Sequence, residues 1–466
     1  MNPFLNPITA IPFIKNFIVD PGRLQRLNPK KMEKYRDKAL RKSIKYALTV
    51  QLYQKKYQDK GIHENNIKGI KDIVNLPFIS KNDIIEHFPD DIVPKGYDKD
   101  RAQVVCTSGS TGKPVSFYID FPTVAGTIGM SIRELRFLNL NWRKSRIAHV
   151  GNFSPSKADN AAEEVFLSKA RAIYPLKNNL SMNAFDPIQN IVKKLDEFKP
   201  DMILSYPVTL QRLAYFKKKG HAKNTNPKVL TAGGYVLDEY TRGYVEEAFG
   251  CRLLNVYSSA ESFGDVAFEC IEGTWHINYD FYHVEAVDEN MEVVEPGKKG
   301  HVVLTKLFGR GTPIIRYTGM DDWVKIIPEH ECDCGLSTPI FKDGVEGRMS
   351  TSVILPDGRL FPSASFAILS VVLNNLKTRK VKQFQIIQKK IDEIDILLVV
   401  DDDLRDEKPS VDFIFKKIKE IYQEKVGPDV SINVKEVKEI KSSPGKPSPL
   451  VISHVKPEEG YKALDL

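Results

Sequence analysis

The chain has 466 residues, 42% of them hydrophobic and 27% charged, which is the composition of a soluble globular protein with room for more than one domain. A disulfide-stapled miniprotein, a fibrous rod and a disordered tail are thereby excluded. Against 60 Asp and Glu stand 68 Lys and Arg, a net charge of +8 that is modest, interspersed, and suits an anionic small molecule at least as well as nucleic acid.

Pro3, Pro7 and Pro12 interrupt the apolar N-terminus, which lacks a basic flank. It reads as an arm packed on its own domain, with a membrane-surface foot as the alternative, and not as a signal peptide or a transmembrane segment. The stretch from Asn28 to Lys60, without Pro29 a run free of Gly and Pro, places Tyr35, Leu40, Ala47 and Tyr53 at helical intervals and predicts one long surface helix. A strand is expected at AQVVC, ending at Cys106. From there short β-branched runs alternate with amphipathic helices. Asp186-Pro187 reads as an N-cap and first turn, with Ile188, Ile191, Val192 and Leu195 as the buried face. Strand 202–206, helix 208–220, strand 228–234, helix 237–250 and strand 251–259 follow. That alternation predicts right-handed crossovers in a mostly parallel sheet flanked by helices. Beyond Asp280 the runs HVVLTKL and PIIRYTG predict a β-rich subdomain. After a turn at Pro356-Asp357-Gly358, strands QFQII, IDILLVV and VSINVKEV with helix 411–427 predict a small α+β domain. The expected fold is therefore α/β, with a large unit over 1–347 and a small one over 348–466.

Thr107-Ser108-Gly109-Ser110-Thr111-Gly112-Lys113-Pro114 follows the first strand directly. Backbone N–H groups, hydroxyls and one lysine in that order can wrap a polyphosphate. It is not a Walker A loop, because Pro114 stands where a magnesium-binding hydroxyl is required; the alternative is an ordinary surface turn. The five cysteines (Cys106, Cys251, Cys270, Cys332, Cys334) are too unevenly spaced for a disulfide framework and point to a reducing compartment, the cytoplasm. Cys270, His276, Cys332 and Cys334 supply three soft sulfurs and an imidazole, a full tetrahedral set for structural zinc, with Asp333 and Gly335 turning the last two sulfurs together. Reduced buried cysteines beside a histidine are the plainer alternative.

The order of the hydroxyl-rich loop, Tyr257-x-x-x-Glu261, Arg316-Tyr317-x-x-x-Asp321, Gly347-Arg348 and Gly445-Lys446 resembles the adenylate-forming enzymes. Within them Leu76-Pro77-Phe78-Ile79-Ser80-Lys81-Asn82-Asp83, and Phe268-Glu269-Cys270 followed by His276-Ile277, are most similar to the phenylacetate-CoA ligase branch with its capsule-biosynthesis relatives. The resemblance spans about residues 70 to 450. It implies ATP, Mg2+ and a carboxylic acid as substrates and CoA as acceptor, with an amine as the alternative acceptor, and a small mobile C-terminal lid. It places Thr107, Ser108, Gly109, Ser110, Thr111, Gly112 and Lys113 on the phosphates and Gly233, Gly234 and Tyr235 along the adenine. By the same resemblance Tyr257 stacks on the base, Glu261 holds Mg2+, Asp321 takes the ribose hydroxyls, Arg348 opens the pivot, and Lys446 drives adenylation.

Phe153, Tyr206 and Tyr235 are the candidate walls of a pocket for an aryl or apolar acid. Each residue also has a structural reading: Tyr257 as a core aromatic, Glu261 as a carboxylate at a helix N-terminus, Asp321 as a cap, Lys446 as a solvated loop lysine. Departures from the family pattern are Ala260, where a hydroxyl is usual and Ser259 is the nearest substitute, and Ser350-Thr351 in place of paired aspartates. They leave a non-catalytic nucleotide binder as the reading of another class. Nucleic acid is not an expected partner, and whether the chain forms a homodimer stays open.

Overall fold

A computed structural model describes residues 11, 19–20, 22–107, 114–170, 176–348, 351–441 and 448–455. The helix expected over 28–60 is two helices, Pro29–Ala47 and Gln51–Gln58. Between them Val50 is extended and buried and pairs with Pro94, so a tertiary pairing overrides a helical propensity that runs through Leu48 and Thr49. The helices are not purely superficial either. Leu40, Ile44, Tyr53 and Tyr57 are buried, and the Tyr46 and Tyr53 hydroxyls donate to the carbonyls of Gly311 and Pro313.

Strands β1 (Gln103–Cys106) and β2 (Ser116–Ile119) form an antiparallel hairpin. The main sheet then takes in β3 (Ile147–Gly151), β4 (Asn179–Asn183), β5 (Met202–Ser205), β6 (Val229–Ala232), β7 (Arg252–Ser259), β8 (Gly264–Glu269), β9 (Trp275–Ile277), β10 (Tyr282–Val287), β11 (Lys299–Lys306), β12 (Asp322–Ile327) and β13 (Ile340–Arg348). Its order is β10-β11-β12-β13-β9-β8-β7-β6-β5-β3-β4. The five strands from β4 to β7 pair in parallel. From the β7–β8 pair onward the pairing is antiparallel. The expected β-rich part thus continues the same sheet.

Chemistry sets the change of hand. The central parallel strand β6 is buried at every position, because crossover helices close over each side, whereas the edge strand β4 is only partly buried. Helix Ile188–Phe198 buries Ile188, Ile191, Val192 and Leu195, the face its periodicity predicts, and stops at Lys199 in the left-handed region (φ 50) before Pro200. Pro187, not Asp186, occupies its N-cap. Helix Glu239–Phe249 is capped by Asp238, whose carboxylate accepts from the N–H groups of Tyr240 and Thr241 at 3.0 Å. It ends at Gly250 with φ 68, a position that favours glycine.

The run PIIRYTG is not a sheet strand. Arg316 lies at φ 47, and Tyr317 makes only isolated pairings, with Leu304 on one side and Ile79 on the other. Arg316 donates to both oxygens of Glu285 at 3.1 and 2.9 Å and to the carbonyls of Val74 and Leu76 at 2.9 and 2.7 Å. Buried charge is tolerated there because each guanidinium nitrogen finds an acceptor. The Leu76–Asp83 segment is thereby clamped to the approach to Asp321, and Ser80 and Asp83 form a reciprocal cap on helix Lys81–His87.

Toward the C-terminus, β14 (Val353–Ile354) and β15 (Leu360–Phe361) flank the expected Pro356-Asp357-Gly358 turn. A four-stranded sheet follows, with β16 (Val381–Lys390), β17 (Glu393–Val400), β18 (Ser431–Glu436) and β19 (Val451–Ser453) in the order β18-β17-β16-β19. Helix Val411–Val426 buries Ile414, Ile418, Tyr422 and Val426 in a core shared with Phe384, Ile394, Ile396 and Leu398. The α+β expectation holds, with β19 as a strand the sequence did not suggest. Among the described residues no helix is long and apolar enough to cross a membrane.

Candidate active site

In a parallel sheet every strand presents its C-terminal end on one edge, and ligands gather there. Here β3 leads to Phe153, β5 to Tyr206, β6 to Gly233-Gly234-Tyr235, and β7 carries Tyr257 just before the turn that holds Glu261. The register sets Val150 beside Ser205, Ser205 beside Ala232, and Ala232 beside Asn255, so four segments far apart in sequence open side by side. The double glycine is sterically required. A Cβ on Gly233 would lie 2.9 Å from Val256 Cγ2, and one on Gly234, at φ 78, would lie 3.1 Å from the Tyr206 ring. Tyr206 and Tyr235 meet edge to face at 5.7 Å.

A shift of register between Tyr257 and Ser258 re-aims the end of β7. The Tyr257 ring is 9% exposed, lies edge-on to Phe341 at 5.8 Å, and its hydroxyl donates to Asp322 Oδ2 at 2.7 Å. Asp322 also faces Arg348, Nε to Oδ1 being 3.9 Å. Burial pushes the Asp322 carboxyl up to about 6, against the opposing pull of Arg348 and the Tyr257 hydroxyl. For Arg348, burial disfavours the cation but Asp322, Glu261, Tyr257 and Asp321 together raise it. Glu261, 8% exposed, and Asp321, held at φ 60, thus share one electrostatic network with Tyr257, Asp322 and Arg348.

The mouth of the β1–β2 hairpin is closed by Thr107, whose N–H donates to the Val115 carbonyl and whose Oγ1 accepts from the Val115 N–H, both at 2.9 Å. Lys157 donates to the Thr107 carbonyl at 3.4 Å, and the Cys106 N–H to the Ser156 carbonyl at 2.8 Å. The hairpin base is therefore tied to the loop carrying Phe153. Ser108, Gly109, Ser110, Thr111, Gly112 and Lys113 lie outside the described residues, as do Ser350 and Lys446.

The CapK C-terminal domain family matches residues 363–453. The phenylacetate-coenzyme A ligase of Thermus thermophilus is 24% identical over 75% of this chain and 77% of its own length, and the protein CapK of Staphylococcus aureus is 24% identical over 85% and 84%. A crystal structure of 2-hydroxyisobutyryl-CoA ligase in the postadenylation state superposes with a TM-score of 0.75 at 19% identity, covering 95% of this chain and 93% of the other. In fold this chain matches a solved CoA ligase, and in sequence it is similar to the adenylate-forming enzymes. The relatives it is similar to are phenylacetate-coenzyme A ligases and CapK.

Three features of this chain escape its motifs. Asp322, adjacent to the motif aspartate, is the residue that Tyr257 and Arg348 engage; only the doubled Asp hinted at it. His149 and Asp159 join the aromatic walls: the His149 imidazole meets Phe153 edge to face at 5.1 Å, and its Nε2 lies 3.7 Å from Asp159 Oδ1. Glu134 and Asp265 hydrogen-bond to each other, and burial raises both carboxyl groups above their ordinary range. A glutamate in mid-helix and an aspartate on a strand carry no motif that announces such a pair. Ser259, the candidate substitute for the missing family hydroxyl, turns its Oγ to Ser262 Oγ and Met320 Sδ, both at 3.3 Å, where it closes the turn before β8. After β13, the Thr351 and Ser352 hydroxyls donate to the Arg348 carbonyl at 3.1 and 3.0 Å.

On the antiparallel side, Cys270, His276, Cys332 and Cys334 converge, their ligand atoms all within 4.8 Å of one another. Cys270 and Cys332 sulfurs are 3.8 Å apart, and Cys334 Sγ is 3.2 Å from His276 Nε2. Burial depresses the His276 imidazole to about 4, which keeps it neutral near pH 7.

Proposed function

We propose that this protein uses ATP to convert a carboxylic acid into an acyl-adenylate, releasing pyrophosphate, and then passes the acyl group to CoA. What carries the reading is the meeting, at the C-terminal edge of β3, β5, β6 and β7, of aromatic walls, a double-glycine cradle and the Tyr257–Asp322–Arg348 network. The substrate carboxylate attacks the α-phosphorus and the bond to pyrophosphate breaks; a poor leaving group is exchanged for AMP, a good one.

In this reading the base lies along Gly233–Tyr235, where a side chain at either glycine would collide. Tyr257 holds Asp322 in place, and Asp321 and Asp322 reach the ribose. Residues 108–113 and Thr107 hold the phosphates, and Glu261 is the residue that would carry Mg2+. Bound there, the ion would offset charge on the phosphate oxygens. Lys446 stabilises the charge that grows between carboxylate and α-phosphate. Residues 348–466 act as the lid. Phe153, Tyr206 and Tyr235 suit an aryl acid, and His149 with Asp159 adds a polar corner that suits a ring substituent able to hydrogen-bond.

A second acceptor is favoured by a specific observation. The C-terminal match is to the CapK family, and the Pro356-Asp357-Gly358 turn occupies the segment that, by the resemblance, faces the acceptor. An amine acceptor giving an amide is the alternative to CoA.

ATP–pyrophosphate exchange over a panel of aryl, hydroxyaryl and aliphatic acids tests the first half-reaction. Exchange with an aryl acid is expected, and mass spectrometry with CoA or amines then identifies the product. ATP binding without exchange on any acid would leave the non-catalytic nucleotide binder.

A further inference from the structure

We propose that Cys270, His276, Cys332 and Cys334 hold one structural Zn2+, and that this ion fixes the entry to β13, the strand that ends at Arg348. The inference is independent of the ligase reading, since it rests on a cluster that the proposed chemistry does not use.

Two of the separations fit a tetrahedral site, and all lie within 4.8 Å. With Zn–S near 2.3 Å, two sulfurs on one ion stand about 3.8 Å apart, and a sulfur and an imidazole nitrogen about 3.5 Å. Cys270 and Cys332 are 3.8 Å apart and Cys334 is 3.2 Å from His276 Nε2. A disulfide needs sulfurs about 2.05 Å apart, so neither of these cysteines is bonded to the other. Two tight turns aim the ligands. In the β8–β9 turn, the Cys270 N–H donates to the Thr274 carbonyl and the Gly273 N–H to the Cys270 carbonyl, both at 2.9 Å; Gly273 has φ 80. In the other turn, the Cys332 N–H donates to the Leu336 carbonyl at 3.0 Å and the Gly335 N–H to the Cys332 carbonyl at 2.8 Å; Gly335 has φ 86.

The surroundings suit thiolates on a metal. Backbone N–H groups of Glu272 and Thr274 point at the Cys270 sulfur, that of Cys334 at Cys332, and that of Leu336 at Cys334. Amide donors around all three sulfurs are the outer contacts that hold metal-bound sulfurs in place. His276 Nδ1 lies 2.7 Å from the buried Thr338 Oγ1; when Nδ1–H donates to that hydroxyl, Nε2 is left with its lone pair toward the sulfurs. Phe137, Phe268 and Leu336 pack around the cluster. Three thiolates and one imidazole fill four positions, which leaves none for a substrate, and soft donors in this geometry select zinc.

The ion would join the end of β8, strand β9 and the 331–337 hairpin, which β13 follows directly. There Ile340 pairs with His276 and Phe341 with Trp275, and Phe341 supports the Tyr257 ring.

The test is elemental analysis of the full chain purified without chelator. About one zinc per chain is expected, retained in Cys251→Ser and lost in Cys332→Ser and Cys334→Ser. Refolding the wild type in Co2+ should give the thiolate-to-cobalt charge-transfer and intense visible bands of a tetrahedral site, which keeps the test independent of whether the serine variants fold. Hydrogen exchange should show residues 331–341 losing protection when a chelator strips the metal. Less than about a tenth of a zinc per chain with no cobalt spectrum would overturn the proposal. Equal metal loss in Cys251→Ser, or a Cys270–Cys332 disulfide in the purified protein, would do the same.

Discussion

Asp322 is a carboxyl group buried between a phenol and a guanidinium, with Glu261 and Asp321 adding negative field. Its native value of about 6 stands above the 3.8 of an open chain, so between those pH values the folded state holds a proton that the unfolded state has released. The contribution of this group to stability therefore falls as pH rises from about 3.8 to about 6 and stays low above that. Asp322→Asn removes the titration. The melting temperature of the wild type relative to Asp322→Asn is expected to decline across that window, and parallel melting curves from pH 4 to 7 would show that Asp322 is ordinarily ionised. In the adenylation reading the same variant should weaken ATP binding, because the ribose-side carboxylate is gone.

The packing of helix Phe121–Phe137 against the main sheet illustrates how single elements are held. Arg133, 1% exposed, donates to Asp280 Oδ2 at 2.7 Å and Oδ1 at 3.3 Å, and also to Asn278. These acceptors lie between β9 and β10, so one arginine pins the helix to the turn joining two strands, and the helix in turn carries Glu134 to Asp265. Removing one partner of a fully buried pair strands the other charge, at a cost of about 3–5 kcal/mol. Asp280→Ala should show that loss in urea denaturation, whereas Arg133→Met with Asp280→Leu, which removes both charges, should recover much of it. Equal loss in the single and double variants would mean that packing, not charge, holds this junction.

Over the whole molecule, the C-terminal unit meets the body through apolar and polar contacts, Tyr240 lying in one core with Phe366 and Leu369. The buried Tyr240 donates to the Val381 carbonyl at 2.8 Å, Arg379 pairs with Glu247 at 3.0 Å, and Lys219 reaches Asp401 at 3.4 Å as well as Asp403. The three acidic groups on the charged links are unequal: Glu247 and Asp403 are exposed and Asp401 is buried. The exposed pairs contribute about 0–1 kcal/mol each, so the buried Tyr240 contact holds more of this junction than they do. If the lid carries Lys446 to the adenylating pose, Lys446→Ala should lose roughly 10²–10³ in pyrophosphate exchange while consuming a synthetic acyl-adenylate at nearly the wild-type rate. Exchange within about threefold of wild type would make Lys446 a solvated loop lysine.

Local physics was readable from the chain alone. Apolar periodicity located helix Ile188–Phe198 and its buried face, apolar runs located β5, β6 and β7, and Pro356-Asp357-Gly358 located a hairpin turn, because each depends on neighbours within a few residues. The adenylate-forming resemblance was legible too, since its motifs are short and ordered. What needed the tertiary structure were relations between distant segments. Val50 leaves the helix to pair with Pro94, PIIRYTG lies between Ile79 and Leu304 instead of in the sheet, and the β-rich part extends the parallel sheet. The same holds within the site. Asp322 displaces attention from Asp321 because Tyr257 and Arg348, 65 residues before it and 26 after, converge on it. The meeting of Cys270 and His276 with Cys332 and Cys334 was conceivable from residue types, but only the facing of two turns brings their ligand atoms within 4.8 Å, because convergence of this kind is a property of strand order and not of sequence spacing.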